Sequence, residues 1–213
     1  MAPTSRAGER TTIIKNPLHS IAFLSFVAAL SLGCAGPSWV SIDQGGRTFV
    51  PSSDTTVRAA LEARPFSIHA LIKPYDEAGK RFYSIKVLAG TLASVQFLAH
   101  VGDRTDSDGP FGPGMGMAVD PASRTLYLGE GGFNYLYYID GSTESQSLKL
   151  LAAKGESRDV MATFIGLASG GTTEPVESWG GKELFLLMFY DADLDDTIDP
   201  GELVRARLRF GKG

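Results

Sequence analysis

The chain has 213 residues, 43% of them apolar and 21% charged, with a formal net charge of −4. This length and composition suit one good-sized globular domain and exclude a low-complexity or disordered chain. The net negative charge argues against a nucleic-acid binder, which would need a basic patch.

The first 33 residues follow a different logic from the rest. Arg6, Arg10 and Lys15 make a basic start, and Ile21 to Leu32, "IAFLSFVAALSL", is uncharged and apolar. Twelve helical residues reach only about 18 Å, short of a hydrocarbon core of roughly 30 Å. A basic start, a short apolar core and small residues before a cut site are the marks of a secretory signal peptide over 1–33. The run ends in "SLGC" at Cys34, the only cysteine in the sequence. "LSLGC" resembles the lipobox of bacterial lipoproteins, which implies that Cys34 is acylated and becomes the new N-terminus. Burial of acyl methylenes gives such a chain its membrane affinity. Ala35 after the cysteine implies outer-membrane retention, periplasmic or cell-surface facing. Removal of the signal leaves 17 basic against 23 acidic residues.

Residues 34–58 read as a lipidated tether leading into a first strand, and residues 59–213 as the domain proper. "TTVRAALEA" (Thr55–Ala63) is the best helical candidate, stopped by Pro65. Then come runs with period-two alternation or β-rich composition. "FSIHALIK" sets Phe66, Ile68, Ala70 and Ile72 on one side. "RFYSIKVLAG" sets Phe82, Ser84 and Lys86 opposite Tyr83, Ile85 and Val87. "SVQFLAHV", "GMGMAVD", "RTLYLGE", "NYLYYID", "SLKLLAAK" and "VMATFIGLA" follow at intervals of roughly 8 to 15 residues, with Gly, Asp, Ser and Pro between them. These features predict an all-β, antiparallel, jelly-roll-like sandwich with one short helix.

Near the C-terminus, "DADLDDTIDPGE" packs six carboxylates into twelve residues. Its spacing approaches the EF-hand calcium loop. Asp191, Asp193 and Asp195 take the first, third and fifth positions, Thr197 the seventh through its carbonyl, Asp199 the ninth and Glu202 the twelfth. Ile198 fills the apolar eighth position, while Asp196 stands where the turn usually has glycine and Leu194 where polar residues are usual. The flanks are not helical. "ELFLLMFY" before the loop is continuously apolar, and "LVRARLRF" after it alternates, so the loop is expected to join two strands. Calcium held there would brace a sheet rather than open a helix pair.

A second cluster, Asp103, Asp106 and Asp108 in "GDRTDSDGP", is either a second metal site or turn chemistry before Gly109-Pro110. His69 and His100 read as structural residues. No G-x-S-x-G, H-E-x-x-H or P-loop occurs, so a non-enzymatic protein is expected; the remaining enzymatic alternative is a hydrolase using carboxylates gathered by the fold. The repeated glycines of Gly109–Met117 lack the helix start that a phosphate cradle needs. "FNYLYYID" is the most aromatic stretch, suited to packing between sheets or to stacking on a ligand. Tyr135, Tyr138 and Trp179 are the candidate contacts for a glycan or matrix protein, with Trp179 the best placed for exposure.

"GKRFYSIKVLAGTLASVQFLAHVGD" (Gly79–Asp103) resembles the core of bacterial pre-peptidase C-terminal and collagen-binding β-sandwich domains. The order of segments, with "TTVRAALEARPFSIHALIKP" and the late "PGE", is similar to the major surface lipoprotein family of spirochaetes. These resemblances imply a lipid-anchored, calcium-stabilised surface domain that contacts matrix proteins.

Overall fold

In a computed structural model, the described residues are 39–52, 56–105, 111, 125–142 and 146–212. The expected signal peptide over 1–33, Cys34, Asp106 and Asp108 lie outside them. Residues 33–213 belong to one compact unit.

The described chain forms thirteen strands and two short 3₁₀ turns. One sheet contains β1 (Val40–Gln44), β2 (Arg47–Phe49), β4 (Phe66–Ile72), β7 (Thr125–Gly129), β9 (Lys149–Lys154), β10 (Ser157–Ser169) and β11 (Thr172–Pro175). The other contains β3 (Thr56–Leu61), β5 (Tyr75–Glu77), β6 (Lys80–Gly90), β8 (Phe133–Ile139), β12 (Glu183–Phe189) and β13 (Leu203–Phe210). The fold is thus an all-β sandwich. Most pairings are antiparallel, but β3 runs parallel to β13 and β7 parallel to β10, an addition to the antiparallel expectation.

Alternation decides which side chains meet between the sheets. Ile68, Ala70, Val160 and Phe164 from the first sheet share one core with Tyr83, Ile85, Leu186, Val204 and Phe210 from the second. The second sheet is also covered on its outer face. Phe185, Leu187 and Phe189 alternate out of that core and pack with Val95, Ala99, Phe111 and Ile198 in a separate apolar cluster. Because β12 is buried on both faces, its sequence is continuously apolar rather than alternating. Each such aromatic or leucine is worth about 1.5–3 kcal/mol of transfer free energy.

Three local expectations are corrected. Within the expected helix Thr55–Ala63, Thr56–Leu61 is a strand, because Val57, Ala59 and Leu61 enter the core with period two as β3 pairs with β13; burial outweighs the helix propensity of its alanines. "SVQFLAHV" is not a strand. Ala93–Phe97 is a 3₁₀ turn whose Val95, together with Ala99, is buried while Phe97 and Leu98 are exposed. The segment expected to be a tether and first strand contains two paired strands, since β1 sits between β4 and β2 with Val40 and Ile42 in the core. The β1–β2 hairpin turns on Gly45 and Gly46, both at positive φ (59° and 78°), where glycine is free of a Cβ penalty.

Candidate metal centre

The acidic loop is the connection between β12 and β13, whose register closes on Phe189 opposite Leu203. It therefore joins two strands, as their patterning required. Inside the loop the first carboxylate does the organising. Asp191 Oδ1 accepts the Leu194 N–H at 2.6 Å and Oδ2 the Asp196 N–H at 3.2 Å. Asp195 Oδ1 accepts the Thr197 N–H at 2.8 Å. At the far end, Glu202 Oε1 accepts from Ala192 N–H at 2.5 Å and Oε2 from Asp199 N–H at 2.9 Å. Carboxylates thus satisfy backbone donors at the two ends of the turn.

Leu194 and Asp196 both adopt left-handed backbone, φ 67° and 60°. Aspartate tolerates this, so its place at the sixth position is compatible with the turn. For leucine it costs about 1–2 kcal/mol. Leu194 is also 53% exposed, so burial does not offset that cost.

The loop is held from outside. Ile198 is fully buried in the outer apolar cluster. Its N–H donates to the Asp103 carbonyl at 2.9 Å and its carbonyl accepts Gly102 N–H at 2.8 Å, while Thr105 N–H reaches the Asp196 carbonyl at 2.9 Å. Segment 102–105 thus zips along the loop. Trp39 closes the other end: it packs on Tyr190 at 5.5 Å between ring centroids, and its indole N–H donates to the Gly201 carbonyl at 2.9 Å. Trp39 was invisible as a positioning residue, since it precedes the loop by more than 150 residues (separation 162).

Of the six predicted ligands, Asp191, Asp193 and Asp195 converge, each offering a carboxylate oxygen within 4.8 Å of the others. Glu202, 5% exposed, is engaged with backbone N–H groups instead, and Asp199 and Thr197 lie in the turn that it closes. Burial pushes the Asp191 carboxyl above the ordinary carboxylate range, with the Asp193 charge adding to it and the Leu194 and Asp196 donors opposing it. The Glu202 carboxyl is raised in the same way, chiefly by burial and further by Asp191 and Asp193. Concentrated negative charge, partly removed from water, favours either a proton or a cation. The donor set is all oxygen, which suits a hard ion such as calcium.

The other candidates fall out differently. Asp103 Oδ2 accepts the His100 N–H at 2.8 Å, which is turn chemistry; its partners Asp106 and Asp108 lie outside the described residues. His69, on the outward face of β4, is held between Asp43 and Asp159, a satisfied structural histidine. Trp179 is corrected. It is 3% exposed and meets Phe210 edge-on at 5.0 Å, so it offers no surface contact. Along β8 the alternation separates the tyrosines. Tyr138 packs against Tyr83 and the inter-sheet core, whereas Tyr135 stands on the outer face with Phe82 and Tyr137. Among the described residues, no helix is long and apolar enough to cross a membrane.

Fold and site together define a β-sandwich domain with an acidic loop of EF-hand-like spacing set in a strand-to-strand turn. No family model, curated protein or solved structure matches the chain.

Proposed function

We propose that this is a non-enzymatic, calcium-braced interaction module, exported and attached to a membrane through lipid on Cys34. The observation that carries the calcium reading is the convergence of Asp191, Asp193 and Asp195 within 4.8 Å at a turn whose neighbours Ile198 and Trp39 are fastened to the sandwich. An ion there neutralises charge that otherwise weakens the turn, and because both flanking strands are locked in the sheet it rigidifies rather than switches. Affinity in the range of ~10⁻⁴–10⁻³ M, that of extracellular modules, is expected.

Calorimetric titration of calcium into the folded domain tests the ion. Heat of binding that disappears in Asp191→Asn supports it, and no heat at millimolar calcium refutes it. The anchor has its own test, mass spectrometry of Cys34 in the native host. A diacylglyceryl adduct lost in Cys34→Ser is the expected outcome, and an unmodified, freely released chain contradicts it.

A further inference from the structure

Beside the acidic loop, on the outer face of the second sheet, lies a cleft of about 460 Å³. That falls in the usual range for small-molecule sites. Its aromatic wall comes from Tyr75 on β5 and Tyr135 on β8, whose hydroxyls meet at 3.1 Å. Ser84 on β6 lines the cleft with them. These two tyrosines belong to a cluster with Phe82 and Tyr137, with ring centroids 5.1–5.9 Å apart, that is only half-buried. Such area is usually covered or used.

The charges around the cleft have both signs. Lys86 supplies an ammonium, one of whose donors goes to the Phe111 carbonyl at 2.6 Å. Asp76 also lines it, as do Asp191, Asp196 and exposed Leu194 of the loop. An anion entering here meets three carboxylates, and although these outnumber the ammonium, a cation must sit beside Lys86. A neutral polyol meets neither penalty, since its hydroxyls donate to carboxylates and accept from ammonium and phenol together, while its C–H face lies on aromatic carbon.

We infer that this cleft binds a neutral saccharide, with Tyr135, Tyr75 and Asp76 as its contacts. The inference deepens the reading of the domain as an interaction module by naming the ligand class, but it does not require the ion. Saturation-transfer NMR with neutral hexose and N-acetylhexosamine disaccharides, glucuronate as the anionic probe and tetramethylammonium as the cationic one tests it. The same samples are titrated with calcium.

Signal is expected for a neutral disaccharide and for neither charged probe. Tyr135→Phe, which removes the shared hydroxyl, and Asp76→Asn are each expected to weaken binding about three- to tenfold, as loss of one hydrogen bond does. Asp76 is exposed, so its variant decides the matter if the Tyr135 variant disturbs the sheet. Absence of signal from every neutral disaccharide, stronger signal from a charged probe, or wild-type affinity in Asp76→Asn overturns the inference. A null calcium titration with saccharide signal intact refutes the ion alone, and the converse refutes the cleft alone.

Discussion

Asp193→Asn distinguishes a metal-holding loop from a merely solvated one, because the two effects it produces have opposite signs. Asp193 is exposed, and its charge is one of the influences raising the carboxyls of Asp191 and Glu202. In calcium-free buffer the amide relieves that repulsion, so the melting temperature stays level or rises slightly. With calcium the order reverses. At about 10 mM ion and a dissociation constant of ~10⁻⁴–10⁻³ M, binding to the folded state alone adds about 1.4–2.7 kcal/mol. For a domain of this size that is an upward shift of about 3–11 °C. Removing one of three convergent carboxylates and weakening affinity about tenfold leaves about 0.4–1.4 kcal/mol. Differential scanning calorimetry at matched ionic strength, with magnesium as a control, reads both halves. A wild type indifferent to calcium, or a variant that keeps the full shift, refutes the reasoning.

Ile198→Ala empties a fully buried position that fastens the loop to the outer cluster. It is expected to cost about 2–4 kcal/mol, read as a lower urea midpoint at unchanged slope, and to reduce the calcium response as well; an unshifted midpoint contradicts the anchoring role. Trp179→Ala is expected to cost about 3–5 kcal/mol. In a Trp39→Phe background, Trp179 fluorescence should resist iodide quenching, and ready quenching would place it at the surface. Asp159 gives a pH prediction. Burial alone would raise its carboxyl, but hydrogen bonds and charge from Lys154 and His69 outweigh that and hold it below the ordinary range. A depressed folded pKa stabilises above the unfolded value of about 3.9 and is lost as pH falls through the folded one. Asp159→Asn should therefore be less stable than wild type at neutral pH, with the gap closing below about pH 4; a constant gap across that window removes the linkage.

The sequence was most informative where one face of a strand is buried. Phe66, Ile68, Ala70 and Ile72 could be read as one side of β4, and Tyr83, Ile85 and Val87 as the inward side of β6, because water on one side and core on the other writes period two into the chain. It misled where the same letters serve two geometries. Val57, Ala59 and Leu61 suit a helix as well as a strand until β13 lies beside them. Val95, Phe97, Ala99 and Val101 recur with period two, yet Val95 sits on a 3₁₀ turn and Ala99 just after it. The Gly45-Gly46 signal for the β1–β2 hairpin was present in the sequence, although the segment carrying it resembled a tether.

The acidic spacing of Asp191 to Glu202 and its strand-like flanks belong to the sequence, since they depend on local order and periodicity alone. The rest came with the third dimension: which carboxylates converge, that Trp39 and segment 102–105 hold the loop, that Trp179 is interior, and that Tyr75, Tyr135, Lys86 and Asp76 line one cleft. Apart from the local gathering of Asp191, Asp193 and Asp195, these are pairings between segments distant along the chain. Alternation tells a side chain which face it occupies, but only strand order across the sheet decides what it meets there.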